Sequence, residues 1–120
     1  MNRKSSFIGS LRDALRGIRI FIAGEPHAKF HTLVAIAVCI TGAIVGVSKT
    51  EWILIAFAIA LVMAAEAFNT AIEHMCNVIQ PERDERIRTI KDIAAGAVLM
   101  CTIAAIVIGL FIFIPYLMQQ

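Results

Sequence analysis

Glu66, Asn69, Glu73 and Asn77 are the side chains of this sequence best suited to chemistry. Offsets of three, seven and eleven residues from Glu66 keep all four within a narrow arc of a 3.6-residue helix. The residues just before them, 52–65, are continuously apolar. A charged side chain at the centre of a bilayer costs roughly 2.5–3.5 kcal/mol on insertion scales. Two carboxylates on one stripe therefore need a metal, a proton, a cationic residue or a water-filled site. An ionisable group inside a membrane span is a functional candidate by default. The stripe points to chemistry or ion handling at a membrane.

The rest of the chain supplies the setting. With 120 residues, 59% hydrophobic and 17% charged, there is room for one domain. A soluble domain of this size cannot hide so much apolar surface, so the bilayer is the solvent for much of it. Cys39, Cys76 and Cys101 lie in apolar segments without metal-ligand spacing and read as buried free thiols rather than a zinc site or disulfide framework. No cleaved leader is expected, because the first strongly apolar run begins near Phe30 and leads into no small-residue cleavage site.

In residues 7–22, Phe7, Leu11, Leu15, Ile18 and Ile22 recur at helical spacing, and Arg12, Arg16 and Arg19 repeat one position on. That pattern predicts a helix lying in the membrane interface, extending over about 7–28. A surface helix of a soluble protein is the plainer reading, disfavoured by the long apolar runs beyond residue 30. Spans are expected at about 30–47, 52–79 and 93–118, with a charged connection over 80–92. The predicted fold is an all-α membrane protein, a surface helix followed by a bundle of three transmembrane helices.

Arg3, Lys4, Arg12, Arg16, Arg19 and Lys29 precede the first span, and Arg83, Arg86, Arg88 and Lys91 fall between the second and third. The short turn near residue 49 has one lysine and the C-terminus none. The positive-inside rule predicts a cytoplasmic N-terminus and charged connection, with the C-terminus outside. Trp52 and Tyr116 then both fall at the outer interface, where aromatic belts are expected. Glu25, Glu73, Asn77 and the pair Lys91–Asp92 converge on the cytoplasmic side.

Magnesium prefers a few carboxylates, retained waters and substrate phosphates, and Glu25 and Glu73 are candidate donors. Lys91, expected at the mouth of the third helix, could neutralise phosphate at a helix N-terminus. Glu66, deeper and less solvated, suits a general base for a hydroxyl. Plainer readings stand beside these. Glu66 and Asn69 could hydrogen-bond across a helix interface. Lys91–Asp92 could be an interface anchor and a cap. His27, His31 and His74 read as interfacial polar groups. Gly42 and Gly46 form a GxxxG that favours close helix packing, a weak signal, and Ala94-Ala95-Gly96-Ala97 permits similar approach. No Walker loop, GxGxxG or kinase catalytic loop is present. With carboxylates on one helix and a lysine on another, a shared site in an oligomer is expected.

The stretch Glu66-Ala67-Phe68-Asn69-Thr70-Ala71-Ile72-Glu73 resembles the E-x-x-N-[ST]-A-[IL]-E signature of the prokaryotic diacylglycerol kinase family, which includes undecaprenol kinases. Residues 91–99, beginning Lys91-Asp92-Ile93, resemble its second block, and Ala14-Leu15-Arg16-Gly17-Ile18 with Glu25 its N-terminal block. The resemblance implies a homotrimer in the bacterial inner membrane that transfers the ATP γ-phosphate to a lipid alcohol with Mg2+, and no nucleic-acid partner. It implies Glu66 as catalytic base and Glu25 and Glu73 as metal ligands. Asn69, Asn77, Lys91 and Asp92 would line the nucleotide site, with Glu82, Arg83 and Asp84 as candidates by position. Ala14, Gly17, Ala95 and Glu66 would contact lipid.

Asn77 stands where the family usually has an aspartate, and Ser6 where some members carry an arginine near the lipid headgroup, a role open to Arg3 or Lys4. The connection 81–90 lacks the histidine-containing pattern common in relatives. The Lys91 block resembles the undecaprenol kinase branch more than the diacylglycerol branch. Two other classes of function fit the stripe less fully. A proton or cation relay does not need a lysine at phosphate depth, and a small structural subunit leaves two intramembrane carboxylates unexplained.

Overall fold

The computed structural model describes residues 6–119, so Arg3 and Lys4 lie outside the described residues. Four helices follow one another: α1 (Phe7–Gly24), α2 (Pro26–Val45), α3 (Lys49–Ile79) and α4 (Glu85–Met118). No strand occurs among the described residues.

Local sequence sets each boundary. Ser6 accepts a hydrogen bond from the Gly9 amide at 3.1 Å and caps α1. The surface helix stops at Gly24, short of the expected 28, because Pro26 disfavours helical geometry in the residue before it. Glu25 is accordingly extended (φ −107°, ψ 124°), and Pro26 opens α2 at the position proline tolerates. Glu25 thus stands at a corner between two helices and spends no side-chain bond on capping. α2 closes at Gly46, which is left-handed (φ 76°) and donates its amide to the Gly42 carbonyl at 3.0 Å. A Cβ on Gly42 would meet the Trp52 ring at 3.0 Å. The two glycines therefore serve a cap and an intrachain ring contact rather than one packing face.

Ser48 and Glu51 form a reciprocal capping box at the start of α3. The charged connection is shorter than expected. Asp84 caps α4 and Glu85 begins it, so residues 85–92 are helical and only 80–84 connect α3 to α4. An N-cap aspartate followed by an acidic first turn favours helix over solvated loop. Lys91 consequently lies within α4 and not at its N-terminus, which removes the expected anion site at that helix mouth.

Helices α2, α3 and α4 are each long and apolar enough to cross a membrane. α3, with 31 residues, and α4, with 34, run for about 46 and 51 Å at 1.5 Å per residue, beyond a hydrocarbon core of about 30 Å. Both overhang, and their polar ends can meet in the headgroup region. They pair antiparallel in constant register, with Asn77 opposite Lys91 at one end and Glu51 opposite Tyr116 at the other. The core is small: Val47, Ile55 and Ile112, supported by Trp52, Phe113 and Tyr116. Large apolar side chains such as Phe57, Phe68, Met100 and Phe111 face outward, as a lipid solvent permits.

Candidate functional site

The stripe on α3 meets partners from α2, α4 and the corner between α1 and α2. Glu66 is buried, 4% exposed, and its Oε1 lies 2.9 Å from His31 Nε2 on α2. With Glu66 as a carboxylate, which only accepts, the pairing uses the tautomer in which the ring donates through Nε2–H. One helical turn on, Asn69 Nδ2 donates to Glu73 Oε1 over a long 3.5 Å, and Asn69 Oδ1 is buried with no partner. Glu25 Oε1 lies 3.3 Å from His74 Nε2, which brings the corner onto α3 at the residue after Glu73. Lys91 Nζ donates to Asn77 Oδ1 at 2.8 Å. One chain thus brings its own lysine to the end of the stripe, and no second subunit is needed for that contact.

The other candidates are dispersed. Glu82 and Arg83 are exposed in the 80–84 connection, and Asp92 is exposed on α4. Asp84 is already engaged: its Oδ1 accepts from the Arg86 amide at 2.8 Å, and its Oδ2 from the Arg86 guanidinium at 2.8 Å. The guanidinium, then the Arg86 amide, hold the Asp84 carboxyl down to about 2. Ala14 and Gly17 lie on exposed α1, and Ala95 on an exposed face of α4 beside buried Ala94.

Among the described residues no three His, Cys, Asp or Glu side chains gather as a preformed metal cage. Magnesium does not require one, since it is held by one or two carboxylates with waters and substrate phosphates. Glu25 and Glu73 are oxygen donors of that kind. The orphaned Asn69 Oδ1 is an acceptor that a metal-bound water or a substrate hydroxyl would satisfy, and leaving it bare costs about 1–3 kcal/mol. The donor set fits a magnesium ion carried with phosphate.

His31 and His74 are the residues that sequence reasoning undervalued. Read as interfacial polar groups, they are instead the carboxylate partners of Glu66 and Glu25. The available signal was reciprocal: a span containing one imidazole, next to a span whose deep glutamate lacks a partner.

An apolar groove of about 350 Å³ runs between α2, α3 and α4, lined by Val34, Ala58, Val62, Ile106 and Phe113 and reaching His31 at one end. A hydrocarbon tail could lie there within reach of the buried carboxylate.

A family model of prokaryotic diacylglycerol kinases matches residues 12–113. An undecaprenol kinase of Bacillus subtilis (strain 168) is 37% identical over 116 residues, an alignment covering 97% of this chain and 94% of that protein. A diacylglycerol kinase of Synechocystis sp. is 30% identical over 111 residues, 92% of this chain but 63% of that protein. Together with three membrane-spanning helices, these matches define a multi-pass membrane lipid kinase. The chain belongs to the prokaryotic diacylglycerol kinase family.

Proposed function

We propose that the protein phosphorylates undecaprenol, using ATP and Mg2+ at the cytoplasmic face of the bacterial inner membrane. The observation that carries this reading is the buried Glu66 carboxylate, held by His31 at 2.9 Å one turn from the unsatisfied Asn69 Oδ1. Identity over nearly the full length of an undecaprenol kinase favours a polyprenol over a diacylglycerol. The arginines and lysines near the N-terminus and residues 83–91 favour that end of the bundle as cytoplasmic.

The Glu66 carboxylate accepts the proton of the lipid hydroxyl as its oxygen bonds to the γ-phosphorus. The bond from that phosphorus to the β–γ bridging oxygen breaks, and ADP leaves with the bonding electrons. Glu25 and Glu73 would hold magnesium, which would supply neutralisation of phosphate charge. Lys91 turns its ammonium from Asn77 to phosphate, and Asn69 and Asp92 orient the nucleotide. Ala14, Gly17 and Ala95 offer small surfaces against lipid.

A homotrimer is part of this reading. The chain is flat, 57 × 40 × 20 Å, and three spans are few for one chain to enclose a site for both a nucleotide and a lipid. Light scattering of the detergent-solubilised protein should give three chains per particle.

The function is tested by phosphate transfer from labelled ATP by purified protein in detergent with magnesium, offered undecaprenol and diacylglycerol together. Undecaprenyl phosphate should dominate. Phosphatidic acid as the main product would move the chain to the diacylglycerol branch, and labelling of neither lipid would sink the proposal.

A further inference from the structure

We infer that His31 is a positioning residue for Glu66, fixing through its Nε2–H which carboxylate oxygen meets the lipid hydroxyl. The inference rests on the reading of Glu66 as base. His31 sits in the second turn of α2, just past the corner that Pro26 creates, and its side chain is 19% exposed against 5% for that of Glu66. The two helices otherwise meet through apolar contacts and the Gly42–Trp52 approach at their far end. His31 is thus the polar tie between α2 and the stripe at this depth.

The geometry divides the carboxylate. Oε1 carries the imidazole bond at 2.9 Å, which leaves Oε2 with both lone pairs free and makes it the more basic of the two oxygens. Free rotation of a glutamate would present either oxygen in several directions. A fixed donor on one of them selects a single orientation, which is how outer partners tune a reacting group. His31 also lines the end of the apolar groove between α2, α3 and α4. The imidazole that ties down Glu66 therefore also faces the space a lipid tail could fill.

The test compares His31→Leu, which removes the donor, with His31→Gln, whose amide nitrogen can occupy the position of Nε2. Each is also made in a Glu66→Gln background. His31→Leu should lower kcat roughly 10- to 100-fold, the weight of a hydrogen bond to a charged group, with KM for ATP and lipid nearly unchanged. His31→Gln should recover most of that loss, and His31→Leu should add nothing once Glu66 is Gln. A purely structural histidine would lower the yield of folded protein without this kcat-only pattern or the glutamine rescue. Should the leucine variant fail to fold, His31→Asn, whose amide stops short of Glu66, takes its place. Wild-type kcat in the donor-less variant, no rescue by glutamine, or a further loss in the Glu66→Gln background each overturn the inference. Full activity of Glu66→Gln would sink the base reading itself. An inactive Glu66→Gln beside a fully active His31→Leu sinks the role of His31 alone.

Discussion

The two ends of the α3–α4 pair are built on opposite principles. At the Glu51 end the polar groups are satisfied at short range. Ser48 and Glu51 cap α3 reciprocally, Tyr116 donates to Glu51 at 2.5 Å, and Val47, Ile55 and Ile112 pack beside them. At the Glu66 end short bonds, His31–Glu66 at 2.9 Å and Lys91–Asn77 at 2.8 Å, stand beside long ones, 3.3 Å for Glu25–His74 and 3.5 Å for Asn69–Glu73, and Asn69 Oδ1 is unsatisfied. Buried polar groups are ordinarily paired, and exceptions cluster where a ligand completes the set. One end holds the helices together, and on the proposed reading the other is given to chemistry at the cost of local stability. That division predicts that substitutions should separate cleanly into those that cost rate and those that cost folding.

The sharpest break is Glu66→Gln. The amide keeps the volume and an acceptor for His31 but cannot take a proton. Lipid phosphorylation should fall by about 10²–10⁴, the usual contribution of a positioned base, with thermal unfolding little changed. Activity within a fewfold of wild type would mean that the buried carboxylate is glue between spans.

Ile55→Ala, at the closed end, is the mirror experiment. Ile55 is 3% exposed in the small core, and truncating such a side chain typically costs about 2–5 kcal/mol in stability. Denaturant unfolding in detergent should shift by an amount of that order, while kcat per folded molecule stays constant. A loss of kcat without loss of stability would show that the two ends are coupled.

Some of this division is legible in the sequence. The 3.6-residue repeat from Glu66 to Asn77 and the three apolar runs are local signals, and the helices follow them. The corner at Glu25 was legible too, since Pro26 marks it, but amphipathic continuity over 7–28 outweighed a single proline. The start of α4 was hidden by charge. A run such as 82–91 reads as a solvated loop until Asp84 is recognised as a cap. The pairs His31–Glu66 and His74–Glu25 depend on the register between helices, 35 and 49 residues apart in sequence, and no local pattern encodes that register.

Lys91→Met sharpens the open end further. It removes the cation and the bond to Asn77 while keeping a flexible apolar stem. If the ammonium serves phosphate, KM for the nucleotide should rise about 10- to 100-fold, as for loss of a hydrogen bond to a charged group. Tight binding of nucleotide by this variant would return Lys91 to the role of interface anchor.

Asp84 is the exception that tests the comparison from within, because it lies at the open end yet is fully engaged by Arg86. A carboxylate already committed to a helix cap and a guanidinium has little left to offer a nucleotide. Asp84→Ala should therefore leave the nucleotide KM unchanged and lower the stability of α4 instead. The carboxyl is held down to about 2 in the folded protein, from an ordinary value of 3.8, by the Arg86 guanidinium and amide. Its contribution is then fully present above the ordinary value and is lost as pH falls through about 2. The stability difference between wild type and Asp84→Ala should hold steady from neutral pH down to about 5 and shrink below that, as the cap protonates. A difference that instead grows on acidification, or a raised nucleotide KM at neutral pH, would mean that Asp84 belongs to the reacting site and that the division between the two ends runs through the 80–84 connection.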